Sequence, residues 1–410
     1  MTALELFLYI LCGILVQVAL FALLAFKRHW QKYDSLKRRS SEIEESEPNA
    51  PMPSWEGFRD FRVVRKCFED SSRSVCSFHL APVDAKPLAP FLPGQFLTFR
   101  LEVNDPSGKG RVNITRCYSL SDRPGLDHYR ISVKRLSTPG CPAGLSSNHL
   151  HDNIQEGSIL SAKAPSGHFH LKPGSSPVVL IAGGIGVTPL LCMLNASLQS
   201  GSKREIWLFY GVRNGAEHVM KAHLEELAAR HANFRLRVCY SRPNSSDKIG
   251  QDFQHQGHVD LTLLRLNLSP KSYDFYVCGP RAMMETLVPS LHEWGVPSHR
   301  IHYEAFGPAS LTQSANPPVP EQSSVQAISV TFSKSAKTLI WDNGSASLLD
   351  FAEKNGIRVD SGCRAGGCGT CQTPIESGEV EYLHTPDFDV EPGCCLLCSS
   401  RPSRDLVLSA

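Results

Sequence analysis

Four cysteines near the C-terminus have the spacing of iron–sulfur ligands. Cys363, Cys368 and Cys371 form a C-x4-C-x2-C pattern, and Cys398 follows after 26 intervening residues. Four thiolates with this plant-type spacing hold [2Fe-2S] clusters, whereas zinc sites usually use paired C-x2-C knuckles. Glycines between the cysteines let the backbone wrap closely, so that its N–H groups can face the sulfurs. The spacing therefore predicts a [2Fe-2S] site, with a zinc site or unrelated buried thiols as the weaker alternatives.

The fourth ligand has competitors, because Cys394 and Cys395 lie just before Cys398; the apolar stretch around Cys398 favours it. Residues 325–410 resemble a plant-type ferredoxin domain in their C-R-x-G-x-C-G-T-C loop, their Gly378-Glu379-Val380 turn and their closing Leu396–Pro402 stretch. The resemblance implies an α+β β-grasp fold and a cluster that passes one electron at a time. This segment has seven Lys/Arg and eleven Asp/Glu, a formal charge of −4, which could steer a basic partner or only confer solubility.

A second chemical group is the run Arg116-Cys117-Tyr118-Ser119-Leu120-Ser121. A guanidinium can bind phosphate with a planar fork of donors, and a tyrosine ring can stack on a flat cofactor. Taken alone, the run could equally be a barrel strand with a buried tyrosine and an exposed arginine. Other motifs surround it in a fixed order: Pro93-Gly94-Gln95-Phe96, Ile131–Lys134 and Gly144–Leu150.

This ordered series resembles the flavin domain of the ferredoxin-NADP reductase family, and most closely the reductase half of flavohaemoglobins, which shares the Trp55–Phe61 opening. The likeness implies that Arg116 meets flavin phosphate, Tyr118 stacks on the isoalloxazine and Ser119 lies near flavin N5. It favours FAD, although some related dioxygenase reductases carry FMN. The residues implied at the flavin are Arg116, Tyr118, Ser119, Leu120, Val133, Lys134, Gly144, Leu145, Ser146 and Ser147.

Two glycine-containing turns predict a nucleotide site. The apolar run 177–182 precedes Gly183-Gly184-Ile185-Gly186-Val187-Thr188-Pro189 and a helical pattern. A strand, a glycine-rich turn and a helix N-terminus form a phosphate cradle. The same reductase resemblance identifies the nicotinamide-binding residues as Gly183, Gly184, Gly186, Thr188, Pro189, Cys278, Gly279 and Pro280. It places Cys278 near the reactive carbon, although a small buried strand-end residue is the alternative, and it makes Phe306 the shield of the flavin face.

The choice between NADH and NADPH is left open by the sequence. Arg213 and Arg242 each follow a predicted strand and could meet a 2′-phosphate or remain solvated surface charges. No acidic residue is clearly placed for a ribose diol. Likeness alone favours NADH.

The N-terminal segment predicts a membrane anchor. Residues 3–26 are almost wholly apolar, long enough to span a bilayer, and basic residues follow them directly. The positive-inside rule then places the body of the chain on the cytoplasmic side of the cell (inner) membrane. A cleaved signal peptide is the alternative, but it needs a basic n-region and a shorter apolar core.

The predicted fold class is therefore multidomain: a transmembrane helix, an antiparallel β-barrel FAD domain, a doubly wound α/β NAD(P) domain and a β-grasp domain. The predicted boundaries are a transmembrane helix at 3–26, a linker at 27–54, the flavin barrel at 55–172, the NAD(P) domain at 173–306, a Pro/Ser-rich linker at 307–324 and the ferredoxin domain at 325–410.

Composition and domain order narrow the function. A net charge of +2 without a basic stripe argues against nucleic-acid binding, and 14 scattered cysteines do not resemble a secreted disulfide framework. The order of flavin, nucleotide and ferredoxin modules resembles oxygenase reductase components and hybrid-cluster-protein reductases. We expect electrons to pass from NAD(P)H through FAD and the cluster to an oxygenase, hydroxylase or desaturase. The alternatives are a self-sufficient reductase of a quinone or nitric-oxide-related acceptor and a cluster-based redox sensor; oligomeric state is undetermined.

Overall fold

The computed structural model describes residues 54–105, 108, 110–136, 144–306, 328–342, 344–364, 366–383, 386, 388 and 390–410. By its contacts the chain divides into Met1–Met52 and Pro53–Ala410, and the fold below is that of the second unit. The predicted membrane helix at 3–26 lies outside the described residues, as do nearly all residues of both predicted linkers. No helix within the described ranges is long and apolar enough to cross a membrane.

The first domain is a curled antiparallel sheet in the order β4-β3-β6-β1-β2-β5. In β3 the buried residues Phe99, Leu101 and Val103 alternate with exposed ones, as expected for a strand with one face on a core. Leu120, directly after β4, bridges Ile131 of β5, so the two sheet edges meet at one corner of a half-barrel. The elements are β1 (Arg59–Phe68), β2 (Val75–Pro82), β3 (Phe96–Asn104), β4 (Arg111–Ser119), β5 (Tyr129–Lys134), α1 (Leu145–Asn153) and β6 (Ile159–Ala162).

The second domain is a parallel sheet in the order β10-β9-β8-β7-β11-β12, with an apolar core on each face. Every residue of β7 is buried, as its continuous apolar run predicts. Its elements are β7 (Val178–Gly183), α2 (Val187–Gln199), β8 (Ile206–Val212), α3 (Lys221–Arg230), β9 (Phe234–Tyr240), β10 (His255–Gln256), α4 (Leu261–Asn267), β11 (Asp274–Gly279), α5 (Arg281–Glu293) and β12 (Ile301–Ala305).

One helix boundary differs from the sequence pattern, which predicts a helix over 217–231. Residues 215–217 form a 3₁₀ turn instead, and Met220 has a left-handed backbone with φ of 54°. A right-handed helix cannot pass through that conformation, so α3 begins at Lys221.

The third domain packs one helix against a five-stranded mixed sheet in the order β14-β13-β19-β15-β17. The parallel pairing of β13 with β19, with α6 between them in sequence, is consistent with the predicted β-grasp. Ser347 caps α6 by accepting a hydrogen bond from the Asp350 amide. The elements are β13 (Ser329–Phe332), β14 (Lys337–Ile340), α6 (Leu348–Lys354), β15 (Gln372–Ser377), β16 (Val380–Tyr382), β17 (Cys394–Leu396), β18 (Ser400–Pro402) and β19 (Leu406–Leu408).

Candidate flavin, nucleotide and iron–sulfur sites

Strand pairing brings the distant cysteine to the cysteine loop. Cys371 ends the loop just before β15, and Cys398 lies in a 3₁₀ turn just after β17. Because β15 and β17 pair antiparallel, the two ends meet, and the Leu397 amide donates to the Cys371 carbonyl at 3.3 Å. Cys395 instead points into the domain core and is 0% exposed. Of the three C-terminal candidates, Cys398 is the one that the fold brings to the loop.

The four predicted ligand sulfurs form a chain of contacts. Cys368 contacts Cys363, Cys363 contacts Cys398, and Cys398 contacts Cys371. Backbone amides of Gly366 and Gly367 donate to the sulfurs of Cys398 and Cys363, each at 3.3 Å. Amide donors stabilise the negative charge of a thiolate, and the thiolate is the form of cysteine that binds iron.

The backbone conformation of the loop accounts for two of its glycines. Gly366 has φ of 75° and Gly369 has φ of 67°, which glycine adopts without strain, while Arg364 adopts a similar φ of 59°. Among the described residues, no three His, Cys, Asp or Glu side chains form a preformed group for a metal ion. The fit of the four cysteines to a cluster is therefore supported by the contacts among their sulfurs, by the backbone amide donors and by the spacing of the cysteines in the sequence.

The flavin motif connects β4 to the first turn of α1. The Tyr118 hydroxyl lies 3.0 Å from Ser146 Oγ, and burial raises the pKa of this tyrosine. Ser147 Oγ accepts from the Leu136 amide at 3.2 Å and donates to the Gly144 carbonyl at 3.3 Å. A Cβ at Gly144 would lie 2.7 Å from Ser147 Oγ, so only glycine fits this corner. The arrangement places a helix N-terminus beside an aromatic ring, which suits a phosphate-bearing flavin.

The remaining predicted flavin residues have varied surroundings. Val133 is buried, and its carbonyl lies 2.8 Å from His151 Nε2. Lys134 contacts the neighbouring domain, because its Nζ lies 2.8 Å from the Glu217 carboxylate of the nucleotide domain. The Arg116 guanidinium donates to its neighbour's backbone, the Thr115 carbonyl, at 2.7 Å, and burial lowers its pKa.

The two predicted nucleotide turns pack against each other at the carboxyl ends of β7 and β11. A Cβ at Gly186 would lie 2.3 Å from the Cys278 carbonyl oxygen, and one at Gly183 would lie 2.5 Å from Pro280 Cδ. Glycine is therefore required here by the close approach of the turns as well as by any phosphate. The Thr188 hydroxyl donates a hydrogen bond to the Ile185 carbonyl at 3.0 Å, so this hydroxyl is used within its own turn.

Three side chains from two domains converge at the predicted site of hydride transfer. Ser119 Oγ, from the flavin domain, donates to Glu304 Oε2 at 3.5 Å. Cys278 is paired with Glu304 across β11 and β12, and burial, followed by this carboxylate, raises the pKa of its thiol. Phe306, directly after β12, is 43% exposed.

Sequence reasoning predicted Ser119, Cys278 and Phe306 as site residues and did not name Glu304. The available signal was a carboxylate two residues before Phe306, at the end of the last strand of the sheet. Its importance depends on the register between β11 and β12, which a single sequence does not show.

Arg213 and Arg242, the two candidates for distinguishing NADPH from NADH, lie next to each other. The Arg242 amide donates to the Arg213 carbonyl at 2.7 Å, at the carboxyl ends of β9 and β8. Arg213 also pairs with Glu217 at 3.3 Å. The nearby Asp247 carboxylate accepts from the backbone amides of Gly215 and Asn244. Two guanidiniums therefore lie at this edge of the sheet, while the carboxylates of Glu217 and Asp247 are engaged by Arg213 and by backbone amides.

Comparison with known proteins matches each domain to a family. Residues 62–171 match the oxidoreductase FAD-binding domain, residues 180–288 the oxidoreductase NAD-binding domain, and residues 330–403 the 2Fe-2S iron-sulfur cluster binding domain. These matches confirm the predicted order of modules and the three cofactor classes.

Individual relatives agree with this assignment. A flavohemoprotein from Halalkalibacterium halodurans is 40% identical over 263 residues, 64% of this chain but only 62% of that protein. The flavohem-like FAD/NAD binding domain of nitric oxide dioxygenase from Vibrio cholerae is 32% identical, with a TM-score of 0.54 over 61% of this chain and 98% of that chain.

A third relative covers all three modules. Phthalate dioxygenase reductase is 26% identical, with a TM-score of 0.54 over 87% of this chain and 98% of that chain. The chain belongs to the ferredoxin-NADP reductase family and is an NAD(P)H-dependent oxidoreductase in which FAD-binding and NAD-binding domains precede a [2Fe-2S] domain.

Proposed function

We propose that this chain is a reductase component that passes electrons to a separate acceptor protein, an oxygenase, hydroxylase or desaturase. The observation that carries the proposal is the position of β4 between the other two domains. Ser119 of this motif reaches Glu304 of the nucleotide domain, and Cys117, two residues earlier, contacts Cys368 of the cysteine loop. The likeness to phthalate dioxygenase reductase, whose modules transfer electrons from pyridine nucleotides to [2Fe-2S], supports a protein acceptor.

The residues present have distinct tasks in this proposal. FAD, when bound, takes two electrons from NAD(P)H and releases them singly to the cluster. Tyr118 would orient the flavin ring, and Arg116 would bind its phosphate. Cys278 would position the nicotinamide, Phe306 would shield the flavin face until the nicotinamide displaces it, and Ser119 would place a hydroxyl near flavin N5, where it can hydrogen-bond as the hydride arrives.

An anaerobic titration of the purified full-length chain in detergent tests the relay. NADH and then NADPH are added while the visible spectrum and the electron paramagnetic resonance signal are followed. Bleaching of the flavin band with a reduced-cluster signal supports the relay and ranks the two coenzymes. Rapid oxidation of the reduced chain by a co-purified di-iron or Rieske protein supports the oxygenase assignment. If a small quinone reoxidises it equally fast and no protein does, that assignment is wrong.

The second candidate is a self-sufficient reductase of a quinone or a nitric-oxide-related acceptor. The 40% identity to a flavohemoprotein over the two reductase domains favours it. Rapid steady-state turnover with such an acceptor and no partner would support it. A cluster-based redox sensor is the remaining alternative, and negligible turnover with every acceptor would favour that assignment.

We also propose that residues 3–26 anchor the chain in the cell (inner) membrane, with its domains on the cytoplasmic side. The length of the apolar run and the basic residues after it support this orientation. Fractionation of cells that express the full chain and a chain lacking residues 1–54 tests it. The full chain should sediment with membranes and resist high-salt washing, whereas the shortened chain should not. Equal release of both chains by salt would contradict the anchor.

A further inference from the structure

Asp122 lies at the boundary between the flavin and nucleotide domains, three residues after Ser119 of the flavin motif. Its Oδ2 forms an ion pair with Arg130 of β5 at 3.1 Å, and the two side chains are 20% and 11% exposed. Its Oδ1 accepts from Asn195 Nδ2 of α2 at 2.9 Å, and its backbone carbonyl accepts from the Cys192 thiol at 2.9 Å. One residue of the flavin domain thus holds α2 through two directed contacts.

The helix side of this contact is itself held in place. Cys192 and Asn195 are three residues apart on α2, so they lie on the same face of the helix. Asn195 is largely buried, and its Oδ1 lies 3.1 Å from His223 Nε2 of α3. Because an amide oxygen only accepts, the imidazole is the donor. The carboxylate, the amide and the imidazole therefore form one chain of hydrogen bonds across the domain boundary.

On the flavin side, β5 fixes the backbone next to Asp122. The Ser121 amide donates to the Arg130 carbonyl at 2.8 Å, and the Arg130 guanidinium donates to the Ser121 carbonyl at 2.5 Å. Arg130 therefore holds both the side chain of Asp122 and the peptide before it. Tyr118 and Ser119 lie directly upstream, so this anchor also fixes the strand end that carries the flavin motif.

The other end of α2 lies in the nucleotide site. α2 begins at Val187, directly after the glycine turn 183–186. Gly186 packs so closely on the next turn that a Cβ there would lie 2.3 Å from the Cys278 carbonyl oxygen. A helix is a rigid element that can carry a displacement from one end to the other. A shift of α2 at Asn195 would therefore move the turn that packs against Cys278.

We propose that Asp122 is a positioning residue that fixes α2, and with it the nicotinamide, relative to the flavin ring. The inference rests on the proposed placement of FAD beside Tyr118 and Ser119 and of the nicotinamide beside Cys278. When both are bound, a hydride passes directly from the nicotinamide to the flavin, which oxidises the first and reduces the second. The rate depends steeply on how the two rings are placed. Loss of the contact should therefore slow this transfer more than it weakens coenzyme binding.

The test uses five variants of the full-length, cofactor-loaded chain. D122A removes the carboxylate, D122N replaces one accepting oxygen by an NH₂ group at constant size, and N195D places a second carboxylate against the first. The double variant D122N/N195D exchanges the amide and the carboxylate across the boundary, which restores a hydrogen bond of opposite direction. D127N is the control, because the Asp127 side chain is 94% exposed in the same connection before β5.

Three kinds of measurement separate positioning from binding and from folding. Stopped-flow absorbance with increasing NADH or NADPH gives the limiting rate of flavin reduction and the apparent Kd of the coenzyme. The long-wavelength charge-transfer absorbance reports how the nicotinamide stacks on the flavin. Hydrogen–deuterium exchange of residues 119–123 and 192–195, FAD content and the melting temperature are measured without coenzyme.

We expect the three single variants at the contact to lower the limiting rate by about tenfold, less than the roughly 10²-fold cost of a 1 Å displacement, because the apolar contacts of α2 remain. The apparent Kd and the FAD content should change little. Charge-transfer absorbance should fall, and exchange at the boundary should become faster. D127N should behave as wild type. The double variant should be clearly faster than N195D, because coupled residues do not have additive effects.

Wild-type limiting rates in D122A and D122N, with full FAD content, would overturn the proposal. A slowdown that comes wholly from a higher apparent Kd would also overturn it, as would a double variant as slow as the two single effects multiplied. If D122A does not fold, D122N and the exchanged pair decide the question, because they keep the volume of the site. Failure of both coenzymes to reduce the flavin of the wild-type chain would instead contradict the proposed function.

Discussion

Ser119 Oγ donates a hydrogen bond to Glu304 Oε2 at 3.5 Å across the boundary between the flavin and nucleotide domains. Ser119 is 6% exposed, so this hydroxyl is largely withdrawn from solvent. Strand register places Glu304 beside Cys278, and burial, followed by this carboxylate, raises the pKa of the Cys278 thiol. A hydroxyl, a carboxylate and a thiol thus meet in one place, and groups of these types can move a proton when a hydride is transferred.

Substitution of Glu304 by glutamine should slow flavin reduction while leaving FAD bound. The change removes the carboxylate base at nearly constant volume, while the glutamine amide oxygen can still accept the hydrogen bond from Ser119, and general acid–base groups typically contribute about 10²-fold or more. Stopped-flow absorbance under anaerobic conditions measures the rate with NADH and NADPH. E285Q, on the surface of α5 beside Arg281, is the control and should behave as wild type. A wild-type rate in E304Q would show that the carboxylate is not needed.

Substitution of Cys398 by serine should cause near-complete loss of the cluster, because the turn after β17 brings this sulfur into contact with the sulfurs of the cysteine loop. C395S is the matched control, since Cys395 lies in the core of the same domain and should keep its cluster at a modest cost in stability. Iron and sulfide analysis, with FAD content as the measure of folding, distinguishes them. Cluster loss in C395S but not in C398S would reverse the assignment.

Replacement of Arg242 by alanine should raise the KM for NADPH more than that for NADH. A guanidinium bound to the 2′-phosphate contributes about 1.5–3 kcal/mol, roughly a tenfold effect or more, whereas NADH lacks this phosphate. Steady-state kinetics with an artificial acceptor measures both constants. R230A, on the outer surface of α3, is the control for removing a surface arginine. Equal effects of R242A on the two coenzymes would place the 2′-phosphate elsewhere.

The stability of the nucleotide domain should fall as the pH is lowered from about 6.5 to about 4. His218 is buried, its Nδ1 lies 2.9 Å from the Tyr240 hydroxyl, and burial, followed by Lys221, lowers its pKa to about 4. In this range the unfolded histidine binds a proton that the folded one does not, which costs about 2 kcal/mol of stability at pH 5.

Melting temperatures of the wild type and H218Q at pH 7 and pH 5 test this effect. The wild type should lose more than the variant between the two pH values. The comparison is needed because burial also lowers the pKa of His79 and of His302 to about 4. Equal losses in both proteins would contradict the role of His218.

Local patterns were sufficient where chemistry and backbone geometry are local. The spacing of Cys363, Cys368 and Cys371 predicted the cluster domain, and the apolar run before Gly183 predicted the strand and turn of the nucleotide domain. The first residue of α3 could not be predicted from a local pattern, because the left-handed conformation of Met220 is set by packing and does not appear in the helical periodicity.

The order of the modules and their three cofactor classes could be predicted from the sequence, because each cofactor needs a few residue types at short, fixed spacings. Which distant residues share a site depends on the tertiary fold. The pairing of β11 with β12 placed Glu304 beside Cys278, that of β15 with β17 brought Cys398 to the loop, and the open edge of β4 let Cys117 meet Cys368. Contacts of this kind depend on strand register and domain packing, which are set by the burial of many weakly specific apolar residues across the whole fold.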